Sequence, residues 1–139
     1  MAMQAEQLRE RIQQFSLRVI RLFKALPKNE EARVIGRQLL RSATSVGANY
    51  RATGRARSRK EFISKMNIVL EEIDESVFWI ELLDKAGIVS PKRLGAILDE
   101  ANQLLLIFSA AVRTARRRNQ NHPITRSPNH PIPTNSIYQ

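Results

Sequence analysis

Between Leu8 and Leu26 the apolar side chains fall at Leu8, Ile12, Phe15, Val19, Leu22 and Leu26. These alternating steps of four and three lay one stripe along one face of a helix. Pro27 stops this first helix, because proline lacks the N–H and disfavours helical geometry in the residue before it. After the short turn Pro27-Lys28-Asn29, Asn29 is a candidate N-cap, with Glu30 and Glu31 on the positive end of the next helix dipole. The second core face reads Ala32, Ile35, Leu39, Ala43, Val46 and Tyr50, with Ala43 and Gly47 small enough for close helix approach. The pattern carries this helix into the mid-fifties, where Gly54 is a candidate end. Ser58 and Glu61 have the Ser-x-x-Glu spacing of a capping box, which predicts a break or restart near Ser58. The third stripe runs through Phe62, Met66, Val69, Ile73, Val77, Ile80 and Leu83, with Gly87 suited to a left-handed C-terminal position. Ser90-Pro91 repeats the start signal, and Leu94, Leu98, Ala101, Leu105, Phe108 and Val112 mark the fourth helix, which closes on Arg116, Arg117 and Arg118.

Short connections return each helix beside the one just completed, so the expectation is an all-α protein: an antiparallel up-down four-helix bundle over residues 1–118. Beyond Arg118 the composition turns to Asn, Pro, Ser, Thr and His, and four of the six prolines fall there. No core can be built from such a segment, so residues 119–139 read as a disordered, flexible Pro/Asn-rich C-terminal tail. Asn-His-Pro-Ile occurs twice in this region, at 121–124 and 129–132, either as a linear binding motif or as an unselected low-complexity extension.

The third helix is apolar beyond its core stripe. Ile68, Trp79 and Leu82 lie roughly opposite the Phe62–Ile73–Ile80 line at 100° per residue, and the fourth helix adds Leu106 and Ile107 away from its own stripe. Apolar groups left over once one core is filled point to a subunit interface, hence a homo-oligomer. The plainer alternative is a wide core face with a few scattered exposed apolar groups, as monomers carry.

Composition removes whole classes of chemistry. No cysteine excludes disulfides, thiolate zinc sites and thiol nucleophiles, and the two histidines, His122 and His130, sit in the expected tail. The carboxylate combinations Glu71/Glu75 and Glu72/Glu75 share a helix face, yet no Glu-x-x-His pair accompanies them, so no metal, no cofactor and no enzymatic activity is expected. The first residues lack the apolar run of a leader and the longest unbroken apolar stretch is Leu104 to Phe108, which predicts a soluble cytoplasmic chain without a membrane partner.

Charge points the other way, toward a partner. The chain has 23 Lys and Arg against 13 Asp and Glu, a net +10. Residues 27–60 hold nine basic side chains against two acids. On a continuous helix Arg33, Arg37 and Arg41 step by 40° each, Arg51 returns to the azimuth of Arg33, and Arg55 and Arg59 repeat the steps. Six arginines then share an arc of about 80° on a rod roughly 40 Å long. Guanidinium forks suit bidentate phosphate contacts, so these six are candidate nucleic-acid-binding residues. No helix-turn-helix, zinc finger or RNA-recognition signature is present, which leaves salt-sensitive contact to the RNA or DNA backbone. The competing reading is a protein-interaction scaffold in which the same arginines pair with Glu71, Glu75 and their neighbours, within or between subunits.

Residues Gln38 to Arg51, with the pattern Arg41-Ser42-Ala43-x-Ser45-Val46-x-x-Asn49, followed by Ser58 to Phe62 and a Glu-rich third helix, carry a resemblance. The chain resembles the four-helix bundle proteins first noted as open reading frames in intervening sequences of bacterial large-subunit ribosomal RNA genes, over about residues 8–115. The resemblance implies an up-down bundle that closes into a ring, typically a pentamer, in a family without established enzymatic activity. A distantly similar branch serves as the accessory protein of diversity-generating retroelements, where a basic barrel contacts nucleic acid and a reverse transcriptase. Members commonly carry a glutamate shortly after the asparagine, where this chain has Ala52.

Overall fold

A computed structural model describes residues 5–121. It contains four helices, α1 (Ala5–Ala25), α2 (Glu30–Thr53), α3 (Arg59–Lys85) and α4 (Pro91–Asn121), and no strand among the described residues. Each helix packs against the next in the chain and α1 also meets α4, so the four close a bundle of alternating direction. The seam between α2 and α3 is the most extensive and that between α1 and α4 the slightest. All of the expected tail beyond Asn121, and with it both Asn-His-Pro-Ile copies apart from Asn121 itself, lies outside the described residues.

Local chemistry sets the ends as the sequence predicts. Asn29 caps α2 by accepting from the Ala32 N–H at 2.9 Å. Ser58 caps α3 by accepting from the Glu61 N–H at 3.0 Å, while the Glu61 carboxylate reaches back to the Arg57 N–H at 3.3 Å, one residue before the cap. Gly87, at φ 71°, makes the left-handed turn after α3, a conformation that a side chain would strain. Gly36 serves a different need: an added Cβ would stand 2.5 Å from a Leu26 methyl carbon and 3.1 Å from the Phe23 ring, so α1 and α2 close over it.

The core is the four predicted stripes meeting, centred on Phe15 and Phe108, with Ile12, Leu39, Ile73, Ile80 and Leu83 fully enclosed. Two stripes keep the expected phase and differ from expectation only at single positions. On α3 the first fully buried side chain is Ile63, and Phe62 is only half-buried. On α4 the buried positions are Ile97 and Leu104, and Leu98 and Leu105 pack against the rim of the core. Adjacent leucines in the run Leu104-Leu105-Leu106 look equivalent to a periodicity argument, and only the azimuth at which α4 meets α3 and α1 separates them. The helix also outlasts its predicted end: Val112 and Ala115 remain buried, and the last turns reach Asn121 instead of stopping at Arg118.

By length and composition α4 would be able to cross a membrane. In the bundle its stripe from Leu94 to Phe108 is covered by the other helices, and one of its mid-helix carboxylates, Glu100, is ion-paired to Arg11 of α1. Leu104→Ala should lower the unfolding free energy by about 2–5 kcal/mol, as cavity-forming core truncations do, whereas Leu105→Ala should cost clearly less. Urea titration of the two variants checks the phase.

Candidate nucleic-acid interface

The six candidate arginines do not form one rod. After Thr53 the chain leaves the helix through successive turn bonds, Gly54 N–H to the Arg51 carbonyl at 3.3 Å, Arg55 to Ala52 at 3.1 Å and Ala56 to Thr53 at 3.2 Å. Arg33, Arg37, Arg41 and Arg51 therefore lie on α2, Arg55 lies in the connection, and Arg59 opens α3. All six are exposed, but the continuous 80° arc ends at Arg51. Its helical part is also interrupted, because the fourteen-residue step from Arg37 to Arg51 contains only Arg41, which is engaged elsewhere.

Arg41 Nη2 donates to Glu75 Oε2 at 2.6 Å, and Trp79 Nε1 donates to the same oxygen at 3.3 Å. The next residue on each helix repeats the link inside the protein: Ser76 Oγ donates to Ser42 Oγ at 3.1 Å, and both serines are fully buried. Ser42 in turn donates to the Leu39 carbonyl at 3.2 Å, and Ser76 lies 2.8 Å from the Glu72 carbonyl. Asn49 turns back to donate to the Ser45 carbonyl at 2.9 Å. The Arg-Ser-Ala-x-Ser-Val-x-x-Asn stretch is thus the α2 side of a helix seam, and Arg41 pairs within its own chain as the competing reading allows. Arg33 is 3.7 Å from Glu30 on the same helix, an exposed pair of small energetic weight. Arg37, Arg51, Arg55 and Arg59 make no ion pair among the described residues.

Of the nine basic residues counted in 27–60, only four belong to α2, which also holds two acids. The excess therefore belongs largely to the helix ends and the connection, and not to one continuous helix as the arginine arc supposes. Because α3 starts where α2 ends and α4 runs back alongside α3, Arg51, Arg55, Arg57 and Arg59 share one end of the bundle with Arg113, Arg117 and Arg118. The Arg116 guanidinium donates to Asn67 Oδ1 at 3.5 Å, which places the last turns of α4 against the first turns of α3. Glu61 is the one carboxylate of α3 in this region, and the first turns of α1 add Arg9 against Glu6 and Glu10. Sequence reasoning treats Arg116 to Arg118 as dipole partners alone. The up-down topology is the signal that joins them to residues some sixty positions away.

The apolar candidates divide likewise. Ile68 and Leu106 are exposed, at 41% and 71%, while Trp79 and Ile107 pack partly on their own core, so those two are less available to a partner than expected. Leu82 is half-buried beside Phe78, which is 55% exposed and does not stand out in the sequence; Phe78 and Trp79 make an edge contact at 4.8 Å.

Glu72, beside this seam, has an enclosed Oε2 with no hydrogen-bond partner. Burial pushes its carboxyl above the usual range and the Glu75 carboxylate adds to the rise, against the opposing pull of Arg41. A raised carboxyl pKa means the folded state holds the proton more tightly, so this group's contribution to stability falls as pH rises through the carboxylate range. Glu72→Gln should raise the thermal midpoint at neutral pH, with the gain shrinking as pH is lowered through that range; calorimetry across pH checks it.

The profile of the family described as 23S rRNA-intervening sequence protein matches residues 6–110. Among solved structures the chain is similar to a crystallised protein of unknown function from the S23 ribosomal protein family of Bacteroides thetaiotaomicron VPI-5482, at 30% identity and a TM-score of 0.71. That alignment covers 76% of this chain and 95% of the other. No curated protein matches the chain.

Proposed function

The chain belongs to the 23S rRNA-intervening sequence protein family, and on that premise we propose that it is a non-enzymatic, self-associating bundle of the cytoplasm whose arginine-rich end holds the phosphate backbone of RNA or DNA. The observation that carries this reading is the convergence of unpaired arginines from two separate stretches of the chain on one end of the bundle: Arg51, Arg55 and Arg59 from the α2–α3 junction and Arg117 and Arg118 from α4. Like charges held together cost free energy in the isolated molecule, and a polyanion that releases its counterions offsets that cost. The arginines rise from rigid helix ends and a tightly bonded turn, so their spacing is set before a ligand arrives.

Readout of individual bases is not part of the proposal. Tyr50, the aromatic nearest this end on α2, packs edge-on against Phe108 at 5.4 Å inside the bundle, so it is not displayed for stacking. Arg37 extends the positive surface along α2, while Arg33 and Arg41 are partly committed to Glu30 and Glu75. The resemblance to ring-forming relatives makes a pentamer the assembly to test first, with the exposed Ile68 and Leu106 as part of the apolar surface available to it. The second reading, a protein scaffold without a nucleic-acid role, is favoured at one point only, the Arg41–Glu75 pair.

Binding to a ribosomal RNA fragment and to random-sequence duplex DNA should weaken steeply with salt. Arg55→Glu with Arg117→Glu should lower the affinity for both and flatten the log–log salt slope by about 2, since each arginine that neutralises a phosphate adds roughly one unit to that slope. Arg41→Glu should lower stability more than it lowers affinity. Unchanged affinity and slope in the Arg55/Arg117 variant, with its mass unaltered by light scattering, would leave the scaffold reading standing instead.

A further inference from the structure

Two surface depressions lie in the half of the bundle opposite the arginine-rich end. One is a shallow cleft between α1 and α4, lined by Arg18, Arg21, Leu22, Arg93, Ala96 and Ile97. It holds three guanidinium groups over an apolar floor, and no carboxylate lines it. The other lies on α3, lined by Asp74, Val77, Phe78, Glu81, Leu82 and Lys85, with the Phe78 ring half in solvent. Neither Arg18, Arg21 and Arg93 nor Asp74 and Glu81 make an ion pair among the described residues.

We propose that these are the two halves of one head-to-tail contact: the Phe78 groove of one copy seats in the Arg18–Arg21–Arg93 cleft of the next. This inference rests on the reading that the chain self-associates, and it says which surfaces meet. The charges are complementary at the site, and the helices differ in the same sense overall, although four of the basic residues of α4 lie at its far end. Helix α3 carries seven acids against four basic residues, while α1 carries five basic against two acids and α4 six against two. The apolar parts match in kind, since an exposed aromatic ring is the usual anchor of an interface and Leu22, Ala96 and Ile97 offer it an apolar floor. Position agrees too. Arg18 and Arg21 are in the last turns of α1, Arg93 is in the first turn of α4, and Asp74 to Lys85 are the last turns of α3, so alternating helix direction puts both surfaces at the same height. Copies related by a rotation axis parallel to the bundle meet at equal height. Two different patches at that height generate a closed ring when the rotation closes.

The weak α1–α4 seam explains why the cleft exists. Arg11 donates to Glu100 and to Gln103, the latter at 2.9 Å, which closes the seam at mid-height. Two turns further along α1 the residues facing α4 are arginines opposed by another arginine, and the helices have no pair to draw them together.

The test uses the full chain in two charge-reversed forms, Arg18→Glu/Arg93→Glu and Asp74→Lys/Glu81→Lys, with helical circular dichroism to verify folding. All four positions are exposed, so both forms should fold. Each alone should run as a monomer by light scattering. An equimolar mixture should re-associate into particles in which the two forms alternate, because the native groove meets the native cleft and the reversed cleft meets the reversed groove, and a chain bearing all four substitutions should regain the wild-type mass. Wild-type mass retained in both reversed forms, with or without weakened nucleic-acid binding by the cleft form, overturns the pairing of these surfaces and leaves self-association standing. A monomeric wild-type chain at micromolar concentration overturns both.

Discussion

The register of α2 against α3 is set by two buried hydroxyl groups. Ser42 and Ser76 are wholly enclosed, and the hydrogen bond between them contributes about 0.5–1.5 kcal/mol. Sliding either helix by one turn would break that bond and leave each hydroxyl only a carbonyl of its own helix, Leu39 or Glu72. The same register brings Arg41 to Glu75 and Trp79 to the same carboxylate oxygen at the rim. Since this is the most extensive seam of the bundle, it fixes where α2 ends relative to the start of α3, and hence how Arg51, Arg55 and Arg59 are grouped.

The Arg41 to Asn49 stretch that carries the resemblance therefore lies largely in helix seams and the core. Arg41, Ser42 and Ala43 face α3 or the core, and Asn49 satisfies a carbonyl of its own helix. The surfaces proposed for partners lie elsewhere: the junction after α2, the last turns of α4, the α1–α4 cleft and the outer side of α3. Position 52 is a half-buried alanine one residue before α2 ends, so the turn that follows keeps its arginines without a carboxylate at that point.

Charge separation gives the molecule its polarity. The acids concentrate on α3, and the basic residues spread over the other helices and gather at one end. Ion pairs between helices are few among the described residues, Arg11 with Glu100 and Arg41 with Glu75, while Arg33 with Glu30 and Lys65 with Glu61 join neighbours on one helix. Fields from the remaining charges reach about 8–10 Å at physiological salt, enough to orient a polyanion or a second copy before contact.

Helix number, both α2 and α3 caps, the left-handed Gly87 turn and most of the core were legible in the sequence because each depends on side chains within a few residues of one another. Asn29 with Ala32 and Ser58 with Glu61 are local pairs, and a stripe such as Leu8, Ile12, Phe15 and Val19 needs only the helical period. Family membership was legible for a similar reason, since its pattern is made of short local runs, Gln38 to Arg51 and Ser58 to Phe62. The arginine stripe was legible only on the assumption of an unbroken rod; a turn a few residues long removed Arg55 and Arg59 from it. The choice of Leu104 over Leu105, the burial of Trp79 and Ile107 beside an exposed Phe78, and the gathering of Arg113, Arg117 and Arg118 with Arg51 to Arg59 were decided by tertiary structure. Those outcomes depend on the azimuth and direction with which whole helices meet, and these follow from packing between residues dozens of positions apart.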